Sequence, residues 1–495
     1  MLGELSTLEI LPQSLVATSD GEFALARADG RPPVRLAVLA EPASLADLEG
    51  DCSEVAGRTL LIGPTSPRNA AALRTRLPWL NPRLLGLQTS AGMGDRIGLA
   101  TPGHVRAMRA VQGQIVPIFA QQSIREMNRT DRTPQQVMDD AMWGVFQEGW
   151  REGAGADADH LKTTADIDAC VACGYSFYTV DPGDHVDSGA DTASAAYLRA
   201  AVEALPWTQL EDDPRALMSR YLHRSIDVEG RLIPFDEQTI LRAATKYGQA
   251  VAHITTMYRH LTQSIANHGF ELEVSVDETE TPTTHAEHIY LATELKRLGV
   301  RWVSLAPRYL GRFEKAVDYI GDVDAFEADV AIHAAIARQF GPYKLSIHSG
   351  SDKFSIYPAM TRQTRGLVHL KTAGTSYLEA LRTIAPLDPG LFREIYSFAR
   401  DRFENDRATY HTSASLERAP LPQDVPDADL AGLLDRDDAR QILHITFGSV
   451  LRESGGNSLL RFRDRLTGLL QAHAEEYARN LEAHFLRHLM PFAAT

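Results

Sequence analysis

The sequence predicts an α/β protein built on a (β/α)8 TIM-type barrel, with an N-terminal α/β segment, a helical insertion and C-terminal helices. Three observations predict it. Between about residues 85 and 385, short apolar runs of strand length alternate with helix-spaced patterns, the grammar of a parallel sheet. Eight such runs can be counted. Several break abruptly at their C-terminal ends into His, Asp, Glu, Ser and Lys, and strand ends of that kind form the mouth of a barrel. A doubly wound open sheet is the alternative architecture.

Residues 1–84 carry short apolar runs broken by Pro and Gly and no evident chemistry; they are expected to form a small α/β preface. The first barrel strand is predicted at Leu84-Leu-Gly-Leu-Gln88, followed by the Gly-rich loop Gly92-Met-Gly-Asp-Arg96. The second, Ile115–Ala120, ends near Arg125, and Thr133-Pro134 starts the next helix as N-cap and first-turn proline. The third carries Asp157, Asp159, His160 and Lys162, and the fourth, Tyr175–Val180, ends in Asp181. A helical insertion over roughly 190–265 precedes the fifth strand, Leu272–Val276, which ends in Asp277 and Glu278. Pro282–Leu298 reads as a helix, and the sixth strand, Arg301–Ala306, leads to Arg308. The seventh strand begins near Tyr343 and breaks at His348-Ser349-Gly-Ser-Asp352-Lys353; the eighth is Leu367–Lys371. Gly374-Thr375-Ser376 is placed to open an anion-binding helix. Residues 386–495 are helical in pattern (Leu391–Arg400, then Leu459–Met490), with a Pro-rich linker from Arg418 to Asp437.

At 495 residues the chain exceeds one simple core, so additions around the barrel are expected. A net charge of −15 argues against a nucleic-acid partner, which requires a cationic face. Only Cys52, Cys170 and Cys173 are present. The Cys170-Val-Ala-Cys173 pair lacks the second pair of a four-thiolate zinc site and reads as two small residues at a helix end. So few cysteines fit a reducing cytoplasm, and no run reaches the ~18 apolar residues of a membrane span, nor does the start resemble a signal peptide.

His160, His348 and His369 lie at or near the ends of three different strands. Neutral imidazoles from separate strands suit an open divalent-metal site, and Zn, Mn, Ni, Co and Fe are not distinguished. Asp159, Asp277 and Glu278 are carboxylates that would complete the shell or move protons. Lys162, Lys353, Lys371, Arg125 and Arg308, with Ser349 and Asp352, are candidate contacts to an anionic substrate. A Schiff base on Lys371 or Lys162 is a rival role, which would make the protein a metal-free aldolase. His285 and His288 follow the fifth strand and are weaker candidates; His484 and His488 lie four apart without the Glu of HExxH. Neither GxGxxG nor a P-loop occurs, so a nucleotide cofactor has no support.

Four stretches, Gly155–Thr163, Val276–Pro282, Ser346–Ser355 and His369–Tyr377, resemble the tagaturonate epimerase family of hexuronate catabolism. The resemblance implies a divalent-metal enzyme that interconverts D-tagaturonate and D-fructuronate, some members also acting on fructose and tagatose. It implies His160 and His348 as ligands, Asp159 as proton acceptor and Glu278 as proton donor; the third ligand stays open between His369 and Glu278. The inverted carbon, C4, is β to the ketone, so simple enolisation does not reach its hydrogen. A retro-aldol break of C3–C4 followed by re-addition is the expected route, transient oxidation at C4 the other. The substrate is expected to be a small ketohexuronate or ketohexose. A class II-like aldolase or sugar isomerase on the same barrel is the competing reading. The insertion and C-terminal helices are expected to cover the mouth or to join copies into a homo-oligomer.

Overall fold

The structure is a computed structural model and describes all residues except 1, 5–7, 29–30, 266–268, 373, 456–459 and 494–495. Leu459, part of the N-terminal stretch and Ala373 in the eighth-strand turn, which entered the reading above, lie outside the described residues. The N-terminal part is an antiparallel sheet of six strands between Leu8 and Gly63, followed by a helix, Pro67–Arg76. Phe23, Leu25, Leu36 and Val38 join the main core, while Ala24, Ala26, Ala37 and Leu39 pack with Leu2 and Leu60 into a separate cluster. This is the two-sided alternation expected of a sheet buried on both faces.

Eight parallel strands close the barrel: β1 Ser90–Gly92, β2 Val116–Ser123, β3 Gly155–Leu161, β4 Phe177–Val180, β5 Glu271–Ser275, β6 Ser304–Ala306, β7 Lys344–Ile347 and β8 Val368–Lys371. They pair in chain order, and β8 returns to β1 with His369 opposite Ser90. The first strand corrects the sequence reading. Leu84–Gln88 is not a strand; it turns at Gly86 (φ +60°), leaving Leu84 and Leu87 exposed. The Leu85 and Gly86 amides donate to Glu271 Oε1, and Leu85 packs with Val116, Ile118 and Phe177. The residues read as a strand therefore pack against β2, β4 and β5 instead of extending the sheet.

The barrel interior departs from the usual apolar layers. Leu272, Val274, Leu305, Leu345, Ile347, Val368 and Leu370 belong to the apolar core, whereas the alternating residues Asp157, Thr179, Glu273, Ser304, Lys344, Ser346, His369 and Lys371 are buried and polar. With a side-chain period of two, these polar residues share the face opposite the apolar ones, and their mutual contacts place them inside the barrel. The insertion is helical as expected (Ala195–Glu203, Trp207–Leu210, Pro214–Tyr221, and the long Glu237–Ser264), but it also holds a hairpin, Arg224–Val228 with Arg231–Phe235. Glu229 and Gly230 both take positive φ, the geometry of a two-residue hairpin turn.

Among the described residues, five α-helices lie between Pro389 and Ala493. The last, Ala474–Ala493, lies on the Thr101–Ala110 helix so closely that a Cβ at Gly103 would stand 2.5 Å from Leu481 Cβ. The Tyr410–Ser413 segment reaches the barrel mouth, where the Ser413 amide and hydroxyl donate to Glu314 Oε2 at 2.8 and 2.7 Å.

Burial lowers the pKa of His104, on that helix pair, to about 4, and that of His369, inside the barrel, to about 3. The unfolded chain takes up a proton near the ordinary 6.5 that the folded chain refuses, so this contribution is complete above pH 6.5 and lost as pH falls toward 4. Each ring is expected to cost about 2 kcal/mol at pH 5 relative to pH 7.5. Urea titrations of the wild type and His104→Phe at the two pH values check this: the substitution should shrink the loss of stability at pH 5 by about 2 kcal/mol, and an unchanged difference between the two proteins would refute it.

Candidate active site

Asp157 and Asp159 point inward from β3 by simple alternation, and His160 would then point outward. It does not. The register of β3 against β4 slips between Tyr178 and Val180, and His160 takes φ +50°. This bulge re-aims the ring toward the mouth. There His160 Nδ1 meets Asp181 Oδ2 at 3.2 Å, Nε2 stands 3.7 Å from Asp159 Oδ1, and the ring lies 4.9 Å from that of His348.

Beneath the two rings sits Lys371. Its Nζ is 2.7 Å from Asp159, 2.8 Å from both Asp157 and Glu273, and 2.6 Å from Thr179 Oγ1. Burial works against the ammonium, but the three carboxylates hold its pKa well above the ordinary lysine value. Burial likewise pushes Asp159 up, yet Lys371, His160 and His348 keep it ionised, below the usual carboxylate range. Asp157 responds the other way: burial outweighs Lys371 and raises it to about 7. A lysine so placed is not a free amine, so a Schiff base on Lys371 has no support here.

His348 follows β7 directly. Its Nε2 contacts Glu273 at 2.6 Å and its Nδ1 contacts Asp277 at 3.1 Å. Desolvation lowers both imidazoles, but Asp159 and Asp181 raise His160 to about 10, and Asp277 and Glu273 raise His348 to about 9. The excess of carboxylate in the mouth favours a cation among these side chains. Asp159, His160 and His348 bring one donor atom each within 4.8 Å of one another, and His160, Asp181 and Glu278 form an overlapping group. Asp181 on Nδ1 would fix the His160 tautomer and leave Nε2 as the donor.

Above this floor opens a cavity of about 530 Å³. Arg125 pairs with Glu278 at 2.8 Å across it. Arg308 donates to the Tyr309 carbonyl and Lys315 to Ser349 Oγ at 2.5 Å; neither has a carboxylate partner among the described residues. Phe313 and Tyr410 add aromatic surface, and Tyr410 also lines the deeper recess with Asp159, His160 and Lys371.

Of the predicted residues, the structure brings together His160, His348, Asp159, Asp277, Glu278, Arg125, Arg308 and Ser349. It does not bring His369 to the two imidazoles. That ring lies inside the barrel, bonded to Ser90 Oγ at 2.9 Å and packed on Phe177. Lys371 forms the floor instead of meeting substrate with free donors. Lys353 is fully buried, its ammonium held by the carbonyls of Glu314, Val317 and Ser351. Asp352 is turned away toward Arg440 (2.8 Å) and His488, and Lys162 pairs with Asp184 on the half-exposed rim. Asp181, Glu273, Lys315 and Tyr410 were missed. Asp181 satisfies the strand-end rule that selected Asp159; Tyr410 arrives from the C-terminal region and carries no sequence signal.

Lys371→Met is expected to destabilise the fold by about 3–5 kcal/mol, because it strands buried carboxylates; an unchanged unfolding midpoint would refute the role given to the ammonium. Comparison with known proteins agrees with this architecture. Residues 13–491 match the family described as tagaturonate epimerase. A tagaturonate/fructuronate epimerase of Thermotoga maritima is 44% identical over 421 residues, 85% of this chain and 84% of that protein. The native crystal structure of a fructuronate-tagaturonate epimerase from Cohnella laeviribosi superposes with a TM-score of 0.92 at 36% identity, covering 98% of this chain and 97% of that one. A one-glycerol complex of the same protein gives 0.92 at 37% identity, covering 98% and 96%. The chain belongs to the tagaturonate epimerase family and is an epimerase.

Proposed function

We propose that this chain interconverts D-tagaturonate and D-fructuronate by inverting C4 through cleavage and re-formation of the C3–C4 bond. One observation carries the reading: two imidazoles, His160 and His348, face each other in a carboxylate-rich mouth beneath Arg308 and Lys315, which have no carboxylate partner among the described residues. The donor set suits a divalent cation, which His160 and His348 would hold, Asp159 being the carboxylate within reach of both. When bound, such an ion supplies Lewis-acid polarisation of the C2 carbonyl and the C3 oxygen.

The chain's own groups move the protons. Asp159, kept ionised, accepts the C4 hydroxyl proton while the C3–C4 electrons shift toward the C2 carbonyl. This leaves an enediolate and an aldehyde at C4. Turning the aldehyde about C4–C5 presents its other face, and re-addition restores the ketone with C4 inverted. Glu278, protonated from solvent once Arg125 turns to the substrate carboxylate, then protonates the new C4 oxygen, and Asp159 returns its proton to solvent. Burial raises Glu278, but His160 and Arg125 hold it below the usual range. Transfer of Arg125 to the substrate carboxylate would release Glu278 to carry that proton. Arg308 and Lys315 complete a cationic rim for the carboxylate, and Phe313 and Tyr410 shield the reacting fragments from water. The three cysteines are unpaired thiols, and no helix among the described residues is long and apolar enough to cross a membrane; we place the reaction in the cytoplasm.

Four outcomes are expected. Chelation with EDTA should abolish conversion of tagaturonate to fructuronate, followed by NMR, and one added divalent metal should restore it; indifference to EDTA would sink the metal-dependent reading. His348→Ala should lower kcat/KM by about 10²–10⁴. Substrate deuterated at C4 should show no primary isotope effect, whereas a sizeable one would mean that the C4–H bond breaks, as in transient oxidation. Lys315→Met should raise KM for tagaturonate about 10- to 100-fold and leave turnover of tagatose nearly unchanged; equal losses on both would refute a carboxylate contact.

A further inference from the structure

Outside the barrel, three donors converge between two neighbouring helices. His285 opens the His285–Arg297 helix, and Asp329 and His333 lie four apart on the Val323–Phe340 helix. His285 Nε2 is 2.9 Å from Asp329 Oδ1, and His333 Nε2 is 3.6 Å from Oδ2 of the same carboxylate. All three donors fall within 4.8 Å of one another. In a four-coordinate site with bonds near 2.0–2.1 Å, ligand atoms stand about 3.3 Å apart, so these separations already bracket the required one.

The hydrogen-bond inventory points to a cation at this place. His333 is fully buried, and its Nε2 has no hydrogen-bond partner of good geometry, although the Thr283 main chain makes a weak hydrogen bond to the ring. Its Nδ1 lies 2.8 Å from Nδ1 of His288, whose Nε2 lies 2.8 Å from the Tyr343 hydroxyl. One of the two facing Nδ1 atoms must carry the proton. If His333 carries it, donating to His288, then its Nε2 is a bare lone pair aimed at a carboxylate, which is repulsive unless a cation lies between them. If His288 carries it, the His333 Nε2–H faces an oxygen 3.6 Å away, too distant to bond, and is left with at most the weak Thr283 main-chain bond. The first arrangement is the one metal-bound histidines adopt, with the far nitrogen donating to an orienting partner.

We propose that His285, Asp329 and His333 form a second divalent transition-metal site, of the class that binds Zn2+, with water completing the shell. The side chains of His285 and Asp329 are 25% and 12% exposed, which gives the ion a path in. The Tyr309 ring packs edge-on against His333 at 5.9 Å and also walls the catalytic cavity, so the ion braces that wall from behind. A comparable trio, Asp352, His484 and His488, does not qualify. There Arg440 already neutralises Asp352, and the Asp352 amide donates to His488 Nε2, which occupies the lone pair an ion would need.

The test uses the full chain carrying His160→Ala and His348→Ala, stripped with EDTA and titrated with Zn2+ by calorimetry, with bound metal counted by mass spectrometry. One equivalent is expected, and Co2+ should give the intense visible absorption of a tetrahedral site. Adding Asp329→Asn or, separately, the surface change His285→Ala should remove that equivalent, or weaken it at least 10-fold, while circular dichroism stays unchanged. No zinc on the parent double variant, or zinc unaffected by both added changes, would overturn the proposal. Because the catalytic imidazoles are absent from every sample, failure of the metal-dependent mechanism leaves this result readable on its own.

Discussion

The structure depends on one buried ammonium. Lys371 sits among Asp157, Asp159 and Glu273 with almost no contact to solvent, and taking four such groups out of water is costly unless they neutralise one another. One positive charge does not balance three negative ones. The remainder is absorbed by Asp157, which burial drives toward its neutral form, and by the two imidazoles above. The cluster also ties β3, β5 and β8 across the barrel, with Thr179 of β4 bonded into it. It therefore acts both as a structural rivet and as the element that sets the charge on Asp159.

This polar interior explains why the strand ends are so exposed to one another's fields. A barrel filled with Val and Leu would place the mouth residues on an apolar floor. Here the floor is ionic, and His160 and His348 feel carboxylates from beneath as well as from the rim. The bulge at His160 adds a second constraint. A residue at positive φ costs energy that the surroundings must supply, and the contacts to Asp181 and Asp159 are the ones available to hold it.

Much of this was legible in the sequence, for a physical reason. Parallel strands converge at their C-terminal ends, so a polar break after an apolar run marks the mouth, and His160, Asp159, Glu278 and His348 were found that way. The rule gives position along a strand but not depth in the barrel. His369 and Lys371 obey it equally, yet register against β1 and β7 places the first inside the barrel and the second beneath the imidazoles. Leu84–Gln88 was misread because alternating leucines carry the same signal whether they pair in a sheet or bury only in part against one. Asp352 and Lys353 lie in the same chemical-looking stretch as His348, but their partners, Arg440, His488 and the carbonyls of the loop after β6, are set by tertiary packing that no local pattern announces.

The locking of the His348 loop by the final helix has a consequence for synthesis. The ionic floor and both imidazoles above it have been synthesised by Lys371, whereas His484, beside Asp352, follows 113 positions later (484 − 371) and His488 after it. At about 5–20 residues per second, a nascent chain spends several seconds with its donors made and its loop unfastened. Ion loading during translation would meet an unfastened loop, and the same ion offered to the finished protein would meet a fastened one.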